Sequence, residues 1–402
     1  MNSRKLLGLS NLLHDAIEKT SELVQGAQDS AARRTYAVLE QITPLAGAVH
    51  HVQQAVTAAV HSSIRATSGG LRTLEGVGIA ALASKSETSK ASRGFDKAQA
   101  ALNALYGDFL HRRESGLEIE LGMYDRGEPL PLEREALLLA RPQASGKICI
   151  LVHGLGCTEW EWIPPGGGET FGEMLARDLG YTSYTVRYNS GLHISENGRA
   201  LAKLIERLLR EHPQPVTEIA LIGHSMGGLV VRSAAHYGPA WSHLLKHVVC
   251  LGSPHLGAPL EKAVHLLAST LGAFETAGTK VPAQVLQGRS AGIKDLRYGY
   301  VVDDDWLGKD PDELLKNHAR EIPLVESAAY CFVAACLTRD TAHPLGQILG
   351  DALVRVPSAS GRSKSRHISF HFGRVLGGLG HLDLQYHPQV YEVLRGWLAG
   401  TM

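Results

Sequence analysis

Apolar residues fall into two rhythms along this chain. In the first, short runs are bounded by glycine, proline or polar residues: Lys147–Val152, Tyr181–Tyr188, Glu218–Gly223, Lys246–Leu251 and Ala328–Leu337. Runs of this length predict strands buried in a sheet. Between them lie stretches of helical period. Ile194–Leu209 sets Leu201, Leu204, Ile205 and Leu208 on one face, Leu229–His236 follows the third run at once, and Pro388–Leu398 closes the chain. Strands alternating with helices in this way predict an α/β fold with a mostly parallel sheet. Leu117, Ile119, Leu121 and Met123 alternate with polar residues and glycine, which predicts an antiparallel edge strand over Gly116–Tyr124. The alternation of Arg366–Phe372 predicts the last strand.

The second rhythm is helical alone and occupies residues 1 to about 105. Leu6, Leu9, Leu13 and Ile17 recur at helical spacing, as do Leu45, Val49, Val52, Val56 and Val60, the latter after a starting Pro44. A further helix is expected over 95–110, ending near Gly107. These helices read as packing on each other or on the following unit. An amphipathic face for a membrane surface or a partner is the alternative, and the mixed charges and histidines (His50 and His51 among them) of its polar side speak against it. Between Leu260 and Ser327 both rhythms fail, as an inserted cap would make them do. The expected organisation is a helical N-terminal region over 1–105 and one α/β unit over 106–402, with a cap at about 260–327.

Composition narrows the classes. The 402 residues carry 40 Lys+Arg and 40 Asp+Glu, so no basic surplus points to nucleic acid and no acidic one to a solvating tail. The five cysteines are odd in number, and Cys149, Cys250 and Cys331 sit in strand-like runs, so no disulfide framework is expected. No window approaches the roughly 18 uninterrupted apolar residues of a membrane span. Met1–Gly8 lacks the apolar core of a signal peptide. The expected location is the cytoplasm, with peripheral membrane association left open.

The chemistry concentrates at Gly223-His224-Ser225-Met226-Gly227. A Gly-x-Ser-x-Gly between a buried strand and a helix is a nucleophile elbow, with the serine on a strained turn and the following N–H at a helix N-terminus. A serine hydroxyl needs an imidazole to take its proton and a carboxylate to orient that imidazole. His381, on the glycine-rich loop Gly377–Gly380 after the last strand, is the expected base. Asp351 is the expected acid, with Asp340 and Asp383 as rivals. His153-Gly154-Leu155-Gly156 follows a buried strand, where the second oxyanion N–H is supplied, here from Leu155 beside that of Met226. His153, Gly154 and His224 flank these loops as candidate substrate contacts. Trp160 and Trp162 stand equally for lining an apolar acyl site and for packing. The glycines at 166–168 open no helix, so a phosphate cradle is not expected. Asp303-Asp304-Asp305 lacks calcium-loop spacing and reads as a solvated loop. The pair His367 and His371 is discounted as a metal site.

Together with Gly252-Ser253-Pro254-His255-Leu256-Gly257-Ala258-Pro259, the elbow resembles the lipase and GPI inositol-deacylase-like branch of the α/β-hydrolases. Arg289–Gly299 is similar to the cap of bacterial esterases and lipases of that branch, and Ala101–Asp108 to a stretch before their catalytic domain. The family pattern Gly-Asp-Gly-Leu-Val appears as Gly350-Asp351-Ala352-Leu353-Val354, which keeps the aspartate and replaces a glycine by Ala352. The resemblance implies an α/β-hydrolase fold and hydrolysis of a small-molecule or lipid carboxylester through Ser225, Asp351 and His381, with no cofactor. An acyltransferase on the same residues, and a lipid- or partner-binding protein using the N-terminal helices, are the rival readings.

Overall fold

Every residue from Ile148 to Val152 is buried, and the same holds from Ile219 to His224 and from Val248 to Leu251. Strands of this kind need cover on both faces, which a parallel sheet with helices on either side supplies. The computed structural model describes residues 89–114, 116–258, 290–309, 317–363 and 366–402. The expected helices before residue 89, and the cap over 259–289 and 310–316, lie outside the described residues. Contacts divide the chain into two units, and the larger one, Lys90–Arg113 with Glu118–Met402, contains the elements that follow.

The sheet has eight strands: β1 (Gly122–Asp125), β2 (Glu128–Pro129), β3 (Lys147–Val152), β4 (Thr182–Arg187), β5 (Glu218–His224), β6 (Leu245–Leu251), β7 (Ala329–Cys336) and β8 (Phe372–Gly377). Their spatial order is β2-β1-β4-β3-β5-β6-β7-β8. β1 pairs antiparallel with β2 and β4, and β3 to β8 are parallel. Side chains alternate between two cores. Ile148, Ile150, Val152, Ile219, Leu221, Val248 and Cys250 face one layer, built from α1 (Ser89–Arg112), α4 (Ile194–Glu211) and α5 (Met226–Tyr237). Cys149, Leu151, Ala220, Ile222, Val249 and Leu251 face the other, built from α3 (Phe171–Leu179) and α9 (Pro388–Leu398). The shorter helices are α2 (Arg134–Ala140), α6 (Ala291–Tyr298), α7 (Pro344–Leu349) and α8 (Val356–Ala359). No helix of the described residues is long and apolar enough to cross a membrane, and all five cysteines are free and buried.

Three expectations shift. The edge strand is only Gly122–Asp125. The last strand is Phe372–Gly377, so Arg366–His371 is not part of it. The misleading alternation there comes from Ile368, buried in the loop before β8, while glycine hides the true strand. An ideal Cβ on Gly373 would stand 2.0 Å from the Phe332 ring, so that strand position admits no side chain. His371 is held by the sheet, its Nδ1 accepting from the Tyr330 N–H at 3.0 Å. The third shift is in α1, which passes through Gly107 to Arg112, with a break in helical geometry at Tyr106. Gly107 serves close approach, since a Cβ there would meet Asn189 Oδ1 at 1.9 Å.

Residues 290–309, which fall in the stretch expected to form a cap, are fixed to the start of α4. Buried Asp295 of α6 accepts from the Ile194 N–H at 2.9 Å and pairs with His193 Nδ1 at 3.0 Å. Burial pushes its carboxyl upward, against the pull of His193. Trp306 stacks on the His193 ring at 3.5 Å, 5° from parallel. The acidic triple is consumed in this region: Asp303 bonds Ser195 and Arg199, Asp304 pairs with Arg320, and Asp305 accepts from the Val301, Val302 and Arg320 N–H groups.

Arg187, at the end of β4, joins α1 to the sheet. Its guanidinium bonds Glu159 at 2.7 Å and Asp96 of α1 at 3.0 Å, all three groups being buried. Removing the cation would leave two carboxylates in the interior. Arg187→Met is therefore expected to destabilise the protein by about 3–5 kcal/mol, read as a lowered denaturation midpoint; an unchanged midpoint would show that the pair of acids is solvated.

Candidate active site

β5 ends at His224 and α5 starts at Met226, so Ser225 alone makes the turn. Its backbone takes φ 54°, ψ −123°, a conformation that a side-chain-bearing residue holds only under strain from its surroundings. The surroundings are the two glycines. An ideal Cβ on Gly223 would stand 2.4 Å from the Gly227 carbonyl, and one on Gly227 would stand 2.3 Å from the Val152 oxygen. The helix starts three residues before the expected Leu229, which puts the Met226 N–H in its first turn. Neither that N–H nor the Leu155 N–H has a protein acceptor among the described residues. Donors unpaired at a helix N-terminus favour negative charge.

His381 lies in the loop between β8 and α9, and Asp351 between α7 and α8, past the end of β7. The structure brings them together: His381 Nδ1 is 2.7 Å from Asp351 Oδ2, and both residues are buried. The other Asp351 oxygen accepts from the Leu353 and Val354 N–H groups at 3.0 and 2.7 Å, so the carboxylate has one orientation. The rival acids are engaged elsewhere. Asp383 accepts from the Gly380 N–H and the Tyr386 hydroxyl, bracing the histidine loop. Asp340 is exposed and closes its own turn through the Ala342 N–H. Ala352 takes φ 83°, the left-handed conformation that suits the glycine of the related pattern. His381 Nε2 is buried and makes no hydrogen bond, to Ser225 Oγ or to any other described atom. Nucleophile–base contacts are often long in unliganded enzymes.

The loop after β3 is held against the elbow. The Gly156 N–H donates to Ser190 Oγ at 3.0 Å, and Tyr188 donates its hydroxyl to the His153 carbonyl at 3.0 Å. An ideal Cβ on Gly154 would lie 3.0 Å from the Ser225 Cβ, so glycine lets the loop close on the serine. Ser190 and Tyr188 were not singled out in the sequence; polar groups just beyond the carboxyl end of a buried parallel strand are the signal that points to them.

Four candidate substrate contacts are structural. Trp162 is fully buried in the second core, beside Phe171. The Trp160 indole donates to Asp96 at 3.0 Å, in the Arg187 network. His153 stacks on Tyr188 with ring centroids 4.4 Å apart; its Nδ1 faces the Gly154 carbonyl at 2.8 Å and its Nε2 accepts from the Tyr188 N–H at 3.3 Å. His224 is fully buried and donates from Nε2 to the His381 carbonyl at 3.0 Å.

Burial pushes His153 down to about 3 and holds His224 and His255 well below the usual imidazole range. His255 accepts on Nδ1 from Arg232, a cation buried in α5 whose pKa burial also lowers. Above a pH of about 6.5, folded and unfolded chains both carry these histidines neutral. Below it the unfolded chain takes up protons that the folded chain refuses, so stability is lost as pH falls. Each histidine contributes up to about 1.4 kcal/mol per pH unit in that window. Thermal melts from pH 7.5 to 4.5 are expected to show the decline, with a shallower slope in His153→Gln; a flat profile would contradict neutral burial. At Ala352 the strain is removable: Ala352→Gly is expected to add about 1 kcal/mol of stability by denaturant titration, and a loss would contradict the strain.

The family described as PGAP1-like alpha/beta domain matches residues 173–310. No curated protein matches the chain. Among solved structures, the chain is similar to a Bacillus licheniformis lipase in its mature form, at 18% identity over 63% of this chain and 91% of that one, with a TM-score of 0.42. It is similar to a thermophilic esterase from Thermogutta terrifontis at 15% identity over 64% and 92%, with a TM-score of 0.36. It is similar to the phospholipase PlaB from Legionella pneumophila at 18% identity over 62% and 59%, with a TM-score of 0.37. The matched stretch contains β5, Ser225 and α5, so over residues 173–310 the chain is similar to the PGAP1-like alpha/beta domain, within the mostly parallel eight-stranded sheet described above.

Proposed function

We propose that the protein is a serine carboxylester hydrolase acting on acyl esters of small molecules or lipids. Ser225 Oγ attacks the ester carbonyl while His381 Nε2 takes its proton. Asp351 holds the imidazole with Nδ1–H toward the acid and stabilises the imidazolium. The oxyanion of the tetrahedral intermediate accepts from the Leu155 and Met226 N–H groups. His381 then returns the proton to the leaving alcohol. Water, deprotonated by His381, then attacks the acyl-enzyme; the Ser225 Oγ–acyl bond breaks, Oγ takes the proton back from His381, and the acid is released. The steps draw on side chains and main-chain donors of this chain alone.

The observation that carries this reading is the strained Ser225 turn beside a buried His381–Asp351 pair. A serine kept at φ 54° between two close-packed glycines is hard to explain as packing alone. The family match over the elbow agrees with it. Hydrolysis of p-nitrophenyl esters tests it. Ser225→Ala is expected to lower kcat by at least about 10⁴-fold, and Asp351→Asn by about 10⁴-fold through the wrong imidazole tautomer. Wild-type rates in Ser225→Ala would sink the proposal.

A further inference from the structure

His224 stands at the meeting point of the three parts of the site. Its main chain continues β5 directly into Ser225. Its ring packs on the His381 ring with centroids 4.7 Å apart at 51°. Its Nε2–H donates to the His381 carbonyl at 3.0 Å. Its other nitrogen, Nδ1, is buried with no hydrogen-bond partner and faces the loop after β3, where an ideal Cβ on Gly154 would stand 3.2 Å away. The carbonyl accepts and does not donate, so the ring carries its proton on Nε2. A fully buried ring with its one donor committed to the protein has no donor left for substrate.

His381 sits on a glycine-rich loop, Gly377–Gly380, which has little intrinsic conformational preference. Asp351 holds only the side chain of His381, and Asp383 holds the N–H of the residue before it. The carbonyl bond from His224 is the side-chain bond to the main chain of His381 itself. We infer that His224 is a positioning residue: it ties the backbone of the base to the residue that precedes the nucleophile, so that Ser225 and His381 move as one body. This rests on the roles proposed above for Ser225, Asp351 and His381.

The test compares wild type, His224→Gln, His224→Phe and His224→Leu with p-nitrophenyl butyrate as substrate. Gln keeps an N–H donor of similar reach, Phe keeps a planar ring without one, and Leu keeps neither. Removing the donor is expected to lower kcat about 10–100-fold, as a misplacement of the base near 1 Å would, with KM within about twofold of wild type. Gln is expected to recover most of the loss. A second reading of the same variants is independent of turnover: the downfield proton of His381 Nδ1–H in the nuclear magnetic resonance spectrum, which reports its bond to Asp351. It is expected to broaden or vanish in Phe and Leu and to persist in Gln.

Wild-type kcat in the folded Phe or Leu variants would overturn the inference, as would raised KM with unchanged kcat, the signature of a substrate contact. An unaltered Nδ1–H proton in both would overturn it as well. Should wild type lack hydrolysis that depends on Ser225, the proposed function fails, and the Nδ1–H proton alone then decides whether His224 positions His381.

Discussion

No side chain fits where Gly223 of β5 faces Gly227 of α5, and the rest of the site follows from that contact. It lets the chain leave a parallel strand and enter a helix across one residue. Ser225 absorbs the whole change of direction in its backbone, at φ 54°. Strain of this kind, on the order of 1–3 kcal/mol, persists only where neighbours over-determine the conformation. Here the neighbours are a strand buried on both faces and a helix buried around most of its circumference. The sheet core thus supplies the rigidity that the turn consumes. Further close approaches complete the site: Gly154 brings the loop after β3 against Ser225, and Gly252, after β6, leaves room for Asp351 and His381, each 3.3 Å from its ideal Cβ.

The electrostatics of the site depend on keeping imidazoles neutral. His153 and His224 are buried beside main-chain partners and His255 beside the Arg232 guanidinium, and desolvation disfavours their charged forms. His381 differs from them in one respect, its 2.7 Å contact with a carboxylate. The arrangement works through fixed groups: Asp351 is held by two N–H groups, the histidine loop by Asp383, and the His381 carbonyl by His224.

Much of this was legible in the residues. Buried strands announced themselves as short apolar runs, and Gly-x-Ser-x-Gly between strand and helix marked the turn. What misled were residues whose period has a cause other than secondary structure. Ile368 mimics a strand residue because it is buried in the loop before β8, against Gly361, while Gly373 conceals the strand because it yields to the Phe332 ring. Gly107 looked like a helix end and is a helix contact. Trp160 and Trp162 lie near the oxyanion loop in sequence, which made them candidate contacts; a buried ion network and the second core claim them instead. The resemblance at Gly350–Val354 favoured Asp351 over Asp340 and Asp383, but loop length alone does not reveal which carboxylate reaches the imidazole. The meaning of Ala352 also needed the backbone, because a positive φ cannot be read from an alanine.

The central claim is that Ser225 is chemically activated by its surroundings. Fluorophosphonate labelling of the full chain, followed by mass spectrometry of the digested protein, tests it most directly. The account predicts a single adduct on Ser225, abolished in Ser225→Ala and strongly slowed in His381→Ala. An unlabelled Ser225 in a folded protein, or an adduct formed at the same rate without His381, would contradict it.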